Sequence, residues 1–352
     1  MRILHVLNDV TNRGNGIVNA AVDIAIEQAR QGHTVSIASA GGEYEDLLRT
    51  HNILHLLVDQ SRSVSNIPRA VFAFAAAVRR FQPDVVHAHM RTGLLLAALW
   101  RLPLGYALVS HVHNVHERES RIMGLAQRVI VVSDSVGESM AALGIPRSKI
   151  RVVLNRILGS PRLQQPGDIL PAPLQHPAVV TVCGLYYRKG VSELITAFNI
   201  IALQHRDAHL YIVGDGPDAA AFHAQAAASP AAQRIHFEGF RTDAQSYLQS
   251  ADVFVLASRR ESFALVLIEA RNAGCPMIAT AVDGNPQALE FGRAGLLVPA
   301  HDPAALAAAM HSMLADDAER RTWSDRARQG MEAYTVPRMV EEVLAVYAEL
   351  LN

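Results

Sequence analysis

Cysteine is nearly missing from this chain of 352 residues: only Cys183 and Cys275 occur, each within or beside an apolar run. Two thiols exclude a disulfide framework and fit packed side chains in a reducing compartment. No apolar run reaches the ~18 residues that a membrane-spanning helix needs. The N-terminus, Met1-Arg-Ile-Leu-His-Val-Leu7, reads as a strand and not as a signal peptide, so the expected location is the cytoplasm. A surplus of charge is missing as well. Basic and acidic side chains number 32 and 33, which excludes the strongly basic surface of a nucleic-acid-binding protein. Lysine is the scarce cation: Lys149 and Lys189 are the only two. The heavy use of arginine and alanine points to a GC-rich genome, in which a lysine at a motif position is informative.

What is present suggests two α/β domains. The length exceeds one ordinary core, and half the residues are apolar. Charge is uneven, with 17 basic and 12 acidic side chains in residues 1–160. A mildly basic N-terminal half suits an anionic acceptor or an anionic membrane surface.

Residues 258–280 organise the rest. An apolar run at 251–257 reads as a buried strand, and Pro276-Met-Ile-Ala-Thr280 reads as the next, entered through a helix stop at Gly274. The helix between them is expected to open near Ser262, as its N-cap, and to run to about Ala273. Glu261 lies in the turn before it and Glu269 about two turns further, close to one face. A helix start after a buried strand offers free N–H groups to a phosphate. Carboxylates at its mouth and flank suit hydroxyl groups on either side. An amphipathic crossover helix with two solvated glutamates fits the spacing equally.

Earlier, residues 1–7, a turn at Asn12-Arg-Gly-Asn-Gly16, a helix over 17–31 and a strand over 34–39 open a Rossmann-like sheet. The Gly14-Asn-Gly16 pair does not make a dinucleotide site. Asn19 replaces the third glycine, and no acidic residue ends the second strand. Further strands are expected at 53–58, 84–89, 107–112 and 128–133. Residues 158–177, rich in proline and glycine, mark a linker. Domains are expected at 1–160 and 178–336, with 161–177 between them. The second set has strands near 179–183, 209–213, 235–237, 252–256, 277–280 and 296–298. A helix over 337–351 closes the chain.

The stretch Arg260-Glu-Ser-Phe-Ala-Leu-Val-Leu-Ile-Glu-Ala270 resembles the Glu-x7-Glu signature of retaining GT-B glycosyltransferases of family 4, the group 1 glycosyltransferases. Asp283-Gly-Asn-Pro286, Gly295-Leu-Leu-Val-Pro299, Pro83-Asp-Val-Val-His-Ala-His89, Val109-Ser-His-Val-His-Asn114 and Ile150-Arg-Val-Val-Leu-Asn155 match other segments of that family, over nearly the whole chain. Arg156 stands where glycine is usual. The resemblance implies the GT-B fold, two Rossmann-like domains facing across a cleft, with the last helix, residues 337–352, crossing back onto the N-terminal domain. It implies transfer of a sugar, with retention, from a nucleotide-sugar (UDP-sugar first, GDP-sugar next) to an acceptor hydroxyl. The setting implied is bacterial polysaccharide, lipopolysaccharide or glycolipid synthesis. The acceptor would be a glycan or lipid-linked, the protein cytoplasmic or peripheral at the inner membrane.

Residue by residue, the resemblance gives Glu269 to the ribose hydroxyls and the N–H groups of Phe263, Ala264 and Leu265 to the distal phosphate, beside Ser262. Phe240 and Arg241 fall in the segment that meets the nucleobase, and Gly16 in the glycine-rich loop near the donor phosphates or the acceptor. Lys189, with Arg188 beside it, neutralises the diphosphate; Glu261 and His113 orient the transferred sugar. The leaving phosphate takes the acceptor's proton, so no general base is named. Cys183-Gly-Leu-Tyr-Tyr-Arg-Lys-Gly190 departs from the family's phosphate loop in one place: Gly184 stands where arginine is usual. Histidines cluster at His87 and His89 and at His111, His113 and His116. Alternate strand positions share a face, so a metal is conceivable, but no carboxylate or cysteine completes a ligand set. The expectation is no metal and no cofactor. Two rivals remain: a GT-B sugar-nucleotide epimerase or hydrolase, and a non-catalytic binding subunit.

Overall fold

The structure, a computed structural model, describes residues 1–12, 14–61, 63, 65–114, 118–163 and 169–351. The chain divides into two compact units: Met1–Leu163 with Tyr334–Asn352, and Gln164–Ala333. In unit 1 strands and helices alternate as β1 (Arg2–Val6), α1 (Gly16–Arg30), β2 (Thr34–Ser39), α2 (Glu45–Thr50), β3 (Leu54–Leu57), α3 (Ile67–Phe81), β4 (Val85–Ala88), α4 (Arg91–Leu104), β5 (Ala107–Val112), β6 (Arg128–Val131), α5 (Asp134–Ala142) and β7 (Ile150–Val152). Unit 2 continues with β8 (Ala178–Val182), α6 (Val191–Ile201), β9 (His209–Val213), α7 (Ala219–Ala227), β10 (Ile235–Gly239), α8 (Ala244–Ser250) and β11 (Val253–Leu256). It ends with α9 (Leu265–Ala273), β12 (Met277–Thr280), α10 (Asn285–Ala288), β13 (Leu296–Val298), α11 (Pro303–Ala315) and α12 (Asp317–Arg328).

Each unit holds one parallel sheet. The strand orders are β3-β2-β1-β4-β5-β6-β7 and β10-β9-β8-β11-β12-β13. Helices cover both faces, so the central strands carry unbroken buried runs: β4, β5, β11 and β12 are buried at every residue. The order reverses beside β1 in unit 1 and beside β8 in unit 2. Such reversals open a crevice at the carboxyl ends of the strands, where ligands bind.

The last helix, α13 (Val336–Leu351), belongs to unit 1. Its Met339, Val340, Val343, Val346 and Tyr347 pack with Ile3, Ile24, Val85 and Val109. Burial of each large side chain is worth roughly 1.5–3 kcal/mol, enough to hold this helix on the first sheet.

The structure corrects two local expectations. The helix after β11 begins at Leu265, three residues beyond Ser262, and its N-cap is Ala264 with no side-chain cap. Ser262 is drawn instead into a buried loop, because the N–H of Gly284 bonds to the carbonyl of Glu261 just before it (2.9 Å). Gly16 is the first residue of α1, not part of the turn, because the Asn15 side chain caps that helix by accepting from the Ile17 N–H. Of the proline-rich stretch, Ala172 and Leu174 pack on the core of unit 2. Arg13 and residues 164–168 lie outside the described residues.

Candidate active site

In unit 2 the loops after β8 and β11 meet at the sheet's reversal. Gly190 sits at φ +67°, and a Cβ there would fall 1.8 Å from the carbonyl oxygen of Ala257. Only glycine permits that approach. Lys189, at the end of the first loop, donates to Glu261 on the second. Their side chains are 14% and 9% exposed, so each charge is largely compensated by the other. Ser258 Oγ adds a 3.4 Å contact to the same carboxylate oxygen. The backbone of Glu261 is fixed from the far side by Asp283, whose Oδ2 accepts from the Glu261 N–H at 2.8 Å and from Arg260 Nε at 3.1 Å. Asp283 was placed in a family segment by the sequence, but its grip on Glu261 depends on a loop twenty-two residues away.

Beside this pair α9 begins without a side-chain cap. Among the described residues no hydrogen bond leads from the N–H groups of Phe263, Ala264 or Leu265 to a protein acceptor. Three free donors and the positive end of a helix dipole form an anion site. Glu269 lies on the same helix, half-buried. Phe240, 48% exposed, and Arg241, bonded through two nitrogens to Asp243 (2.9 and 3.0 Å), follow β10 at the same carboxyl edge. Phe240 therefore stands at the surface of unit 2.

The space beside Gly184 is taken by an aromatic ring. A Cβ on Gly184 would meet two ring carbons of Tyr186 at 2.9 and 3.0 Å, and the Arg188 guanidinium stands 5.3 Å from the centre of that ring. Arg259 is committed to Glu193 (2.6 Å) and Arg260 to Asp283. Among the described residues no carboxylate pairs with Arg188. Of the arginines in these two loops, it is the one available to a phosphate.

In unit 1 the histidines form one array. His5 on β1 joins His87, His89, His111 and His113 on and after β4 and β5, and all five are buried. His5 was missed because only the pairing of β1 with β4, which sets it opposite His87, brings it in. His116 lies outside the described residues. Ring centres of neighbours stand 4.2–5.5 Å apart. Burial pulls His5 down to about 4 and His113 to about 3, and holds His87, His89 and His111 well below the usual imidazole range. All five are neutral at pH 7.

A chain of hydrogen bonds then sets the tautomers. Gln28 presents its amide oxygen to His5 Nε2 at 2.8 Å, so that nitrogen carries the proton. His5 Nδ1 must accept from His89 Nε2–H (2.9 Å), and His89 Nδ1 from His113 Nε2–H (3.2 Å). This leaves His113 Nδ1 bare, and it has no partner among the described residues. Gln28 also reaches the Tyr347 hydroxyl, 3.3 Å away, which is 2.6 Å from His87 Nδ1, tying the array to α13. His89, His111 and His113 also line a cavity of about 280 Å³, with Asn8, Met90 and Met123. Two triads, His5/His87/His89 and His89/His111/His113, keep their ligand nitrogens within 4.8 Å of one another, a spacing that a metal ion could bridge. Neither includes a carboxylate.

Comparison with known proteins agrees with this arrangement. Residues 14–157 match the model described as Glycosyltransferase Family 4, and residues 176–316 the model described as Glycosyl transferases group 1. The chain is 23% identical to the N-acetyl-alpha-D-glucosaminyl L-malate synthase of Bacillus anthracis, over 96% of this chain and 94% of that one. It is 28% identical to the D-inositol 3-phosphate glycosyltransferase of Corynebacterium diphtheriae, over 93% and 88%. Its fold matches that of Anabaena HepE, solved with UDP and with UDP-glucose. For the UDP complex the TM-score is 0.83, with 20% identity over 99% of this chain and 100% of that one. Both sheets, their carboxyl-edge loops and the two family models that together span most of the sequence assign this chain to the group 1 glycosyltransferases of the GT-B fold.

Proposed function

We propose that this glycosyltransferase moves a hexosyl group from a UDP-sugar to an acceptor hydroxyl with retention at the anomeric carbon. One observation carries the reading: the Lys189 and Glu261 loops converge beside an uncapped helix start at the reversal of the second sheet. UDP-sugar is placed ahead of GDP-sugar because HepE, of the same fold, was solved with UDP-glucose. In the proposed step the bond from the anomeric carbon to the diphosphate oxygen breaks, and the acceptor oxygen bonds to the same face of that carbon. The acceptor's proton passes to the leaving phosphate. Lys189, Arg188 and the N–H groups of Phe263 to Leu265 take the charge that develops on the diphosphate. Ser262 lines the phosphate site, Phe240 and Arg241 meet the base, and Glu269 holds the ribose. Glu261 meets the transferred sugar. The acceptor is a glycan or lipid-linked glycan of bacterial surface polymer synthesis, met in the cytoplasm or at the inner membrane face.

The test is release of UDP from a UDP-sugar, followed by chromatography. Release that depends on an acceptor supports transfer. Epimerisation or hydrolysis without acceptor would identify the rival enzyme, and inertness with intact nucleotide binding would identify a binding subunit.

Two further results are expected. Glu269→Ala weakens UDP binding by about 1.5–3 kcal/mol, the scale of hydrogen bonds to a charged group; unchanged calorimetric affinity removes the ribose assignment. Turnover persists in excess EDTA with no divalent ion added, because a lysine, an arginine and a helix start supply the positive charge. Loss of activity on chelation, restored by a metal ion, would make the histidine triads the first place to look.

A further inference from the structure

We propose that the outward face of α3 and α4 is a docking surface for an anionic phospholipid bilayer. The two helices lie side by side: Trp100 Nε1 donates to the Val71 carbonyl at 3.1 Å, and the Arg79 guanidinium stands 5.5 Å from the Trp100 ring. On α4, Leu95, Leu99 and Leu102 recur at helical spacing and point away from the core, with Leu102 81% exposed. On α3 the outward stripe is Arg69, Phe72, Ala76, Arg79 and Arg80, and Phe72 is 69% exposed. A stripe of large apolar side chains on an outward helix face marks an interaction site.

The charge around this stripe selects the partner. Residues 65–104 hold five arginines and one acidic residue, Asp84; among the described residues Arg91 of the five pairs with a carboxylate, that of Glu119. Asp84 Oδ2 is engaged by the Arg2 backbone N–H at 2.7 Å. Among the described residues no carboxylate pairs with Arg69, Arg79 or Arg80. Apolar side chains rimmed by arginines fit an anionic lipid surface, with the leucines among the acyl chains and the guanidinium groups at the phosphates. The same surface on a second copy would face it with like charge, which disfavours a symmetric dimer. No helix of the described residues is long and apolar enough to cross a membrane, so α3 and α4 would lie on the bilayer. A lipid-linked acceptor gives this surface its purpose, but its existence does not depend on the donor assignment.

The test is co-sedimentation of the full chain with vesicles of phosphatidylcholine alone or mixed with phosphatidylglycerol, without nucleotide or acceptor. Binding to the anionic vesicles is expected to be at least about tenfold stronger and to weaken with salt. Leu99→Glu with Leu102→Glu, and separately Arg79→Glu with Arg80→Glu, are each expected to lower it about tenfold or more, with an unchanged thermal transition. Absence of vesicle binding overturns the proposal, as does equal binding of all variants. Self-association abolished by the leucine pair, with no vesicle binding, would make the face a protein interface instead.

Discussion

Lys189→Ala is expected to lower kcat/KM at least about 100-fold, because the leaving diphosphate loses the only lysine of its motif while Gly184 already leaves the arginine position empty. The loss has two components that must be separated. Removing Lys189 also leaves Glu261, 9% exposed, without its ion-pair partner. Breaking a buried pair from one side destabilises by up to about 3 kcal/mol at this partial exposure. Lys189→Ala combined with Glu261→Gln removes the stranded charge, and if Lys189 acts on the diphosphate the double variant stays slow while regaining stability. Arg188→Ala is expected to slow turnover as well, since among the described residues no carboxylate holds that side chain. At Gly184 the backbone is open to ordinary residues; the obstacle to arginine is the Tyr186 ring, which is 44% exposed and has room to swing. Steady-state kinetics on purified variants decide these points. A fully active Lys189→Ala protein would remove the phosphate-site assignment.

Unit 1 is expected to lose several kcal/mol of stability between about pH 6.5 and pH 5.5. The five buried histidines are neutral in the fold, with His5 held at about 4 and His113 at about 3 by burial. An unfolded imidazole takes its proton near 6.5. Below that value the unfolded chain binds more protons than the fold, so stability falls with falling pH, by about 1.4 kcal/mol per pH unit for each histidine. The fall levels off only when the folded imidazoles protonate, near pH 3–4 for the two with values. Trp100 lies in unit 1 and Trp323 in unit 2, and these are the only tryptophans. A Trp323→Phe protein therefore reports unit 1 alone by fluorescence during urea unfolding at each pH. A midpoint unchanged from pH 7.5 to 5.5 would show that the array is not held neutral by the fold.

Strands were legible as short apolar runs bounded by turn signals. The spans expected at 34–39, 107–112, 209–213, 277–280 and 296–298 agree with β2, β5, β9, β12 and β13 to the residue. Helix starts were less legible, because a start is set by loop contacts made elsewhere in the chain. Ser262 has the composition of a cap, yet its loop is bonded at Glu261 to Asp283 and Gly284 and the helix opens at Leu265 instead. Lys189 and Glu261 were each readable from a motif, but their pairing follows from the adjacency of β8 and β11, which sequence separation conceals. The histidine array shows the same limit more sharply. Two pairs on neighbouring strands were visible as alternation, whereas His5, Gln28 and Tyr347 come from β1, α1 and α13 and meet only through packing.

Calorimetric titration of the ligand-free protein with UDP, GDP and ADP tests most directly the claim that unit 2 holds a nucleotide-sugar donor at Lys189 and the start of α9. The account predicts saturable binding of UDP with one site per chain, tighter than GDP or ADP, and weakened in both Lys189→Ala and Glu269→Ala. A folded protein that binds none of the three, or binds UDP equally well in both variants, would contradict it.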